Sequence, residues 1–268
     1  MDISMLSQRD DVLNLIVERL GRAPVDFSEK MSLIEAGKKG DRTRAAAGVL
    51  LPLSFEGEFV LQLIKRSSGV SQPGDISCPG GMLNTFLDPL LRPFVVHILR
   101  GNALKCAGKR ERTAFRNITL FLTSALRESW EEVRLNPLRV VFLGPLPCRD
   151  LTSSKRTIFP LAGYVKNERR FRPNREVEKI VEIPLRAFWE DENYGLCILD
   201  APGEIMERID LKRDYPCFMY HDEMLWGATF SVVMNFLQIV FDLKLPESYS
   251  KRVVKKKLYS DYLTGGRK

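Results

Sequence analysis

Three carboxylates crowd one short stretch of this chain. In SALRESWEEVRL, residues 124–135, Glu128, Glu131 and Glu132 stand at i, i+3 and i+4, so on a helix they share one face. Anions this close repel one another unless a cation or a basic partner compensates them. Arg127 is adjacent in sequence, but i and i+1 do not share a face. A hard divalent cation is the natural counter-charge, because it takes oxygen ligands and keeps waters for a phosphate substrate. A solvated acidic helix face has the same composition, so the stretch has to be weighed with its surroundings.

The elements that must position these groups are legible in outline. DDVLNLIVERLG, 10–21, reads as an amphipathic helix that Asp10 or Asp11 caps and Gly21 ends. AAAGVLLPL, 45–53, and EFVLQLI, 58–64, read as a hairpin or adjacent strands, followed by a loop, SSGVSQPGD, at 67–75. CPGG, 78–81, is a sharp turn in which Gly80 and Gly81 permit positive φ and close backbone approach. Residues 85–124 carry helical-length apolar pieces interrupted by Pro89, Pro93 and Gly101. Strands are expected at 139–147, 157–165 and 177–185, with a helix near RAFWEDE. Strands and helices are interspersed, so one mixed α/β domain is the simplest architecture.

Bulk properties narrow the field. The chain has 268 residues and 44% hydrophobic content, which suits a globular protein with a sizeable core. The net charge of +7 is concentrated in residues 85–124 and 244–268, and the remainder is mildly acidic. That partition argues against nucleic acid as the partner, since a run such as KRVVKKK also suits a solvated, partly helical tail. Five cysteines without a CxxC pair read as reduced thiols, and two histidines do not make a His-rich zinc site. No GxSxG motif supports a serine nucleophile. The N-terminus lacks the pattern of a signal peptide, and the expected location is cytoplasmic. Residues 224–241 are uncharged, but Asn235 and Gln238 within them favour a buried core helix over a membrane span.

The acidic stretch resembles the second half of the Nudix box, with Arg127-Glu128, Glu131-Glu132 and Leu135 in register, and CPGG supplies Gly81 as the box glycine. The nearest subfamily looks like the coenzyme A pyrophosphatase type. AAAGVLLPL, the segment from Leu63 to Gly81, NREVEKIVEIPL at 174–185 and LWGATFSVV at 225–233 resemble its other motifs in order. The chain departs from the pattern in places. Gly81 and Arg127 stand 46 positions apart, which implies an insertion of 32 residues splitting the box. Counting forward from Gly81, the first box Glu falls on Leu87, with Asp88 next to it. Arg134 stands where a glycine follows the acidic cluster, and Ser71 stands near where the coenzyme A motif has an arginine.

The resemblance implies an α/β (α+β) fold, a Nudix-type α/β/α sandwich around a mixed sheet. It implies a single domain over 1–243 with a partly helical insertion at about 85–120, and a basic tail at 244–268. The implied reaction is hydrolysis of the diphosphate bond of a small-molecule nucleoside diphosphate conjugate, coenzyme A or a derivative leading. Glu128, Glu131 and Glu132 would hold Mg²⁺ or Mn²⁺, with the Gly81 carbonyl as a further ligand. Arg127 would brace the loop structurally. Glu176 would act as an outlying base or ligand, ahead of Glu178 and Glu182, which share its face on a strand. Lys65, Arg66, Gly80 and Gly81 would contact substrate, although Lys65 and Arg66 also suit a solvated strand end. Trp226 would stack a base or serve as core. The apolar inserted helix offers a homodimer surface. The alternative is a catalytically silent Nudix fold that binds nucleotide or RNA.

Overall fold

The structure is a computed structural model that describes residues 3–37, 44–99, 101–151, 155–166, 171–201, 203, 214–259 and 262. The fold is mixed α/β and is built around two mixed sheets. In the first, β1 (Ala45–Phe55) is central. It pairs antiparallel with β2 (Phe59–Arg66), as the hairpin reading expects, and parallel with β7 (Arg156–Val165). Beyond these lie β3 (Ile76–Ser77) and β8 (Val177–Pro184) on β2, and β5 (Val140–Pro145) and β6 (Arg149–Leu151) on β7. The short β4 (Gly80–Met82) pairs with β1, with Gly48 opposite Gly81 and Val49 opposite Gly80.

Helices cover both faces of this sheet. On one face lies α1 (Arg9–Arg22), whose Val12, Ile16 and Leu20 recur at every fourth position and are buried. Neither Asp10 nor Asp11 caps it. Both lie in its first turn, and the residue ahead of the helix is Gln8. At its other end, Arg110 Nη2 donates to the carbonyls of Leu20, Gly21 and Ala23, satisfying groups that the last turn leaves open. On the other face lies α2 (Phe27–Gly37), which no sequence pattern announced, and α5 (Arg112–Val133). Phe27, Phe121 and Phe159 tie α2, α5 and β7 together, with Phe121 and Phe159 stacked at 3.6 Å between ring centroids. A side chain of this size contributes roughly 1.5–3 kcal/mol when fully buried.

α5 lies against β1 with no room to spare. A Cβ on Gly48 would sit 2.4 Å from the Phe121 carbonyl oxygen, so only glycine lets the helix approach this closely. Between β4 and α5 the chain forms α3 (Leu87–Ile98) and α4 (Asn102–Gly108). Pro89 falls in the first turn of α3, and Pro93 lies inside it.

The second sheet was not expected. It runs β11 (Glu223–Trp226), β10 (Asp214–Tyr220), β9 (Tyr194–Asp200) and β12 (Val253–Lys257). Its Tyr194, Phe218 and Leu225 share a core with α1 and with α6 (Gly227–Phe241). That helix is the greater part of the uncharged segment read as a core helix, whose first residues, 224–226, belong to β11 instead, and its Val232, Val233, Phe236 and Leu237 are buried. No helix among the described residues is long and apolar enough to cross a membrane. The helix expected near RAFWEDE is two short 3-10 turns, Leu185–Trp189 and Asp191–Asn193.

The described part of the basic C-terminal segment is partly helical, with a 3-10 turn at Glu247–Lys251, but it is not the solvated tail expected. Val253–Lys257 add to β9 as a parallel strand, and Leu258 and Tyr262 are buried beside Cys197, Cys217 and Trp226. Lys255 and Lys257 point outward, which blunts an edge strand, while Lys256 turns inward to Asp75, and that alternation is what a charge run conceals in sequence. Residues 260–261 and 263–268 of this segment lie outside the described residues. Cys78, Cys148, Cys197 and Cys217 are free thiols, and the side chain of Cys106 lies outside the description.

Candidate active site

The acidic stretch is the last third of α5, and its carboxylates meet the glycine turn of β4. Glu132 accepts a hydrogen bond from the Gly80 N–H at 2.9 Å. Glu128 packs on Gly81 so closely that a Cβ there would lie 2.6 Å from its carboxyl carbon. The two glycines are therefore required by what sits above and below them. A Cβ on Gly80 would also collide with the Gly48 carbonyl of β1, at 2.4 Å.

Arg127 organises the cluster more directly than its place in the sequence suggests. Its Nη1 donates to Glu128 at 2.8 Å and to Glu131 at 3.2 Å, and its Nη2 donates to the Met82 carbonyl at 3.0 Å. The i to i+1 argument fails because a long guanidinium side chain reaches past the direction of its own Cβ. Arg127 is in turn fixed by Asp88, which accepts from Nε at 2.7 Å and Nη2 at 3.2 Å. Asp88 is completely buried in the first turn of α3 and also accepts from the Asn84 N–H at 2.8 Å. It stands one residue past the position where the box's first Glu was counted, and its role is to anchor the brace. Burial opposes the charge of Arg127, but the bonds to Asp88 and Glu128 outweigh it and raise its pKa.

The electrostatics show a cluster short of positive charge. Burial, the largest cause, pushes Glu132 up to about 7, against the pull of the Gly80 N–H and with Glu128 adding to the rise. Burial likewise raises Glu128, although Arg127 offsets part of it. Glu131 is half exposed at the rim.

The segment that carries Glu176 is tied to this group. Asn174 donates through its backbone N–H to the Glu132 carbonyl and through Nδ2 to the Glu131 carbonyl, pinning the approach to β8 onto the end of α5. The Asn174 side chain accepts from the Glu176 N–H, and the charge of Glu176 is felt at Glu132. Glu178 instead faces Lys65 at 3.4 Å. The sequence reading missed Asn174, whose side chain accepts from the backbone two residues on, the one local signal it offers.

Of the two residues expected to clamp phosphate, only Arg66 borders a cleft. Lys65 Nζ is held by Glu223 at 3.1 Å and by Glu178, so it ties β2 to the second sheet. The cleft measures about 210 Å³ and lies against the outer side of the glycine turn. Gly80 and Gly81 form one wall, β1 and the start of β7 the floor, and Tyr215, Trp226 and the first turn of α6 the opposite wall. Trp226 is core with one edge on the cleft. Its Nε1 donates to Asp75 at 3.0 Å, and its ring meets Tyr215 edge-on.

Among the described residues no three or more His, Cys, Asp or Glu side chains form a ready metal cage. Arg127 and the Gly80 N–H occupy the carboxylates instead. The donors still fit a hard divalent cation. They are all oxygens on a rigid helix, and their own mutual charge, together with burial, leaves Glu128 and Glu132 short of a counter-ion.

No family model matches the chain. A curated protein of Pectobacterium atrosepticum, the uncharacterized Nudix hydrolase NudL, is 28% identical over 189 residues, covering 70% of this chain and 78% of its own. Among solved structures, a C. elegans Ap4A hydrolase matches 53% of this chain and 81% of its own at 12% identity, with a TM-score of 0.35. A NUDIX hydrolase from Alicyclobacillus acidocaldarius matches 75% and 93% at 12% identity, with a TM-score of 0.41. The braced carboxylates and the curated relative together support a hydrolase. Within that class, the box residues and the NudL similarity support the Nudix hydrolase family.

Proposed function

We propose that this protein is a metal-dependent Nudix pyrophosphatase that cuts the diphosphate bond of a nucleoside diphosphate conjugate, with coenzyme A or a derivative as the leading substrate. The observation that carries the reading is the brace of Asp88 and Arg127, which holds Glu128 against Gly81 while Glu132 is bonded to Gly80, at the wall of a cleft. Glu128, Glu131 and Glu132, with the Gly81 carbonyl, would hold Mg²⁺ or Mn²⁺. The bound ion would supply charge for the phosphates and a lowered pKa for an attacking water. The chain's own contribution is positional. The brace fixes the donors before substrate arrives, so no side chain has to be ordered during the reaction. Glu176, whose charge is felt at Glu132, would be the base that takes a proton from water.

One observation favours the silent-module alternative. Arg127 already neutralises part of Glu128 and Glu131, so the cluster is not wholly dependent on a metal. The deciding experiment incubates the full chain with Mg²⁺ or Mn²⁺ and coenzyme A, ADP-ribose, dinucleoside polyphosphates and NADH, with products read by chromatography. Glu132→Gln runs beside it, because glutamine still accepts the Gly80 N–H and should fold. Metal-dependent cleavage lost in the variant is expected. Nucleotide binding without cleavage of any substrate would favour the silent module.

A further inference from the structure

The cleft beside the glycine turn has an unbalanced charge. Its two acids are already engaged. Asp75 accepts from Trp226, Tyr262 at 2.5 Å and Lys256 at 2.8 Å. Asp150 accepts from Lys30 and Thr157, both at 2.6 Å, with Arg44 at 3.6 Å. Arg156, at the start of β7, is different. Its side chain makes no hydrogen bond or ion pair among the described residues, and its Nε is buried without a partner. The one charged group that perturbs it is another cation, Arg66, and burial followed by that repulsion lowers its pKa. Arg66 has donors to spare, since only Nε and Nη2 are used, on the Ser71 carbonyl at 2.8 Å and the Ser71 hydroxyl at 3.4 Å. Arg149 also lines the cleft and is exposed.

A half-buried guanidinium without a partner, set beside a like charge, costs stability in the free protein. Binding an anion reverses that cost. We infer that Arg156, together with Arg66, forms a phosphate-binding subsite in this cleft, and that the substrate's nucleotide moiety places a phosphate between the two guanidiniums. The inference rests on the nucleoside diphosphate reading of the same site. Arg66 links the two sides of the site, because its charge is felt at Glu132 as well as at Arg156. The glycine turn then stands between carboxylates on the helix side, which would hold the metal, and arginines on the cleft side, which would hold the phosphate. Two arginine forks suit phosphate oxygens through paired N–H donors, which a lysine cannot reproduce. Arg156 is thus a binding residue that lies outside every motif read from the sequence.

The test is calorimetric titration of the full chain in EDTA with ADP, adenosine 3′,5′-bisphosphate and adenosine, repeated on Arg156→Met and Arg156→Lys. Arg156→Met should weaken binding of phosphorylated ligands at least about tenfold, the scale of a lost charge-assisted hydrogen bond, and leave adenosine unchanged. Arg156→Lys should recover only part. The thermal midpoint of Arg156→Met should hold or rise, because an unpaired cation is removed. Loss confined to the bisphosphate puts a ribose 3′-phosphate at the pair, and loss that includes ADP puts the diphosphate there. Wild type that prefers neither phosphate over adenosine, or variants that bind all three ligands as wild type does, would overturn the subsite. So would a lowered midpoint with equal losses for all three ligands. Phosphate binding that depends on Arg156 in a protein that hydrolyses nothing would sink the proposed reaction and leave the subsite standing. Hydrolysis with affinities indifferent to Arg156 would do the reverse.

Discussion

Asp88→Ala tests the brace on which the active-site reading depends. The carboxylate is fully buried and accepts three hydrogen bonds, two from Arg127 and one from the Asn84 N–H. Removing one partner of a buried ion pair costs roughly 3–5 kcal/mol, mostly for the charge left behind. Arg127 retains Glu128, Glu131 and the Met82 carbonyl, so the low end, about 3 kcal/mol, is expected. For a chain of this size that lowers the thermal midpoint by roughly 6–12 °C. Melting followed by circular dichroism would compare wild type, Asp88→Ala, Asp88→Asn and the double variant Asp88→Ala with Arg127→Met. Asparagine keeps an acceptor for one donor and should fall between wild type and alanine. The double variant should lose less than the sum of its singles, since the stranded cation is the main cost. Asp88→Ala melting within about 0.5 kcal/mol of wild type, or strict additivity with Arg127→Met, would refute the brace.

Three further outcomes follow from the geometry. Arg134 ends α5 in the left-handed region at φ 58°, a conformation that costs a side-chain-bearing residue about 1 kcal/mol or more. Arg134→Gly should therefore stabilise the fold by roughly 0.5–1 kcal/mol in urea titration, and a destabilised variant would show that its contact with Trp130 outweighs the strain. Gly81→Ala forces a methyl into Glu128, so metal-dependent activity should fall far more than the melting midpoint, and unchanged kcat would separate Glu128 from the reaction. The pKa of Glu223 is lowered, since hydrogen bonds from Lys179 and Lys65 outweigh its burial. Its stabilising effect is therefore present above the unfolded carboxylate pKa of about 4.3 and lost as pH falls through the lower folded value. The stability gap between wild type and Glu223→Gln should be flat at neutral pH and close below about pH 4, and a gap that widened in acid would contradict this.

What the sequence shows and what it hides divide along contact distance. The acidic face of α5, the hairpin of β1 and β2, and the core nature of α6 rest on local spacing, and local spacing is visible in a single chain. The partner of Arg127 is 39 residues away, and only burial turns Asp88 from a misaligned acid into an anchor. Lys65 reads as a strand end ready for phosphate until its partner 158 residues away is seen. The second sheet escaped in part because β11 and β12 are short and β12 wears the composition of a solvated tail. Arg134 was visible as a departure from the glycine pattern, but its meaning, a positive φ, is a property of the backbone alone.

The strand built from KRVVKKK has a consequence for how the protein is made. Asp75, in the loop that borders the cleft, is held by Lys256 and Tyr262, and Gln72 donates its backbone N–H to the Tyr262 carbonyl. A ribosome releases α5 and its carboxylates long before these residues emerge. The nascent chain can thus assemble its acidic helix while the loop beside it still lacks its fastening. That fastening forms only once β12, made after α5, docks alongside β9.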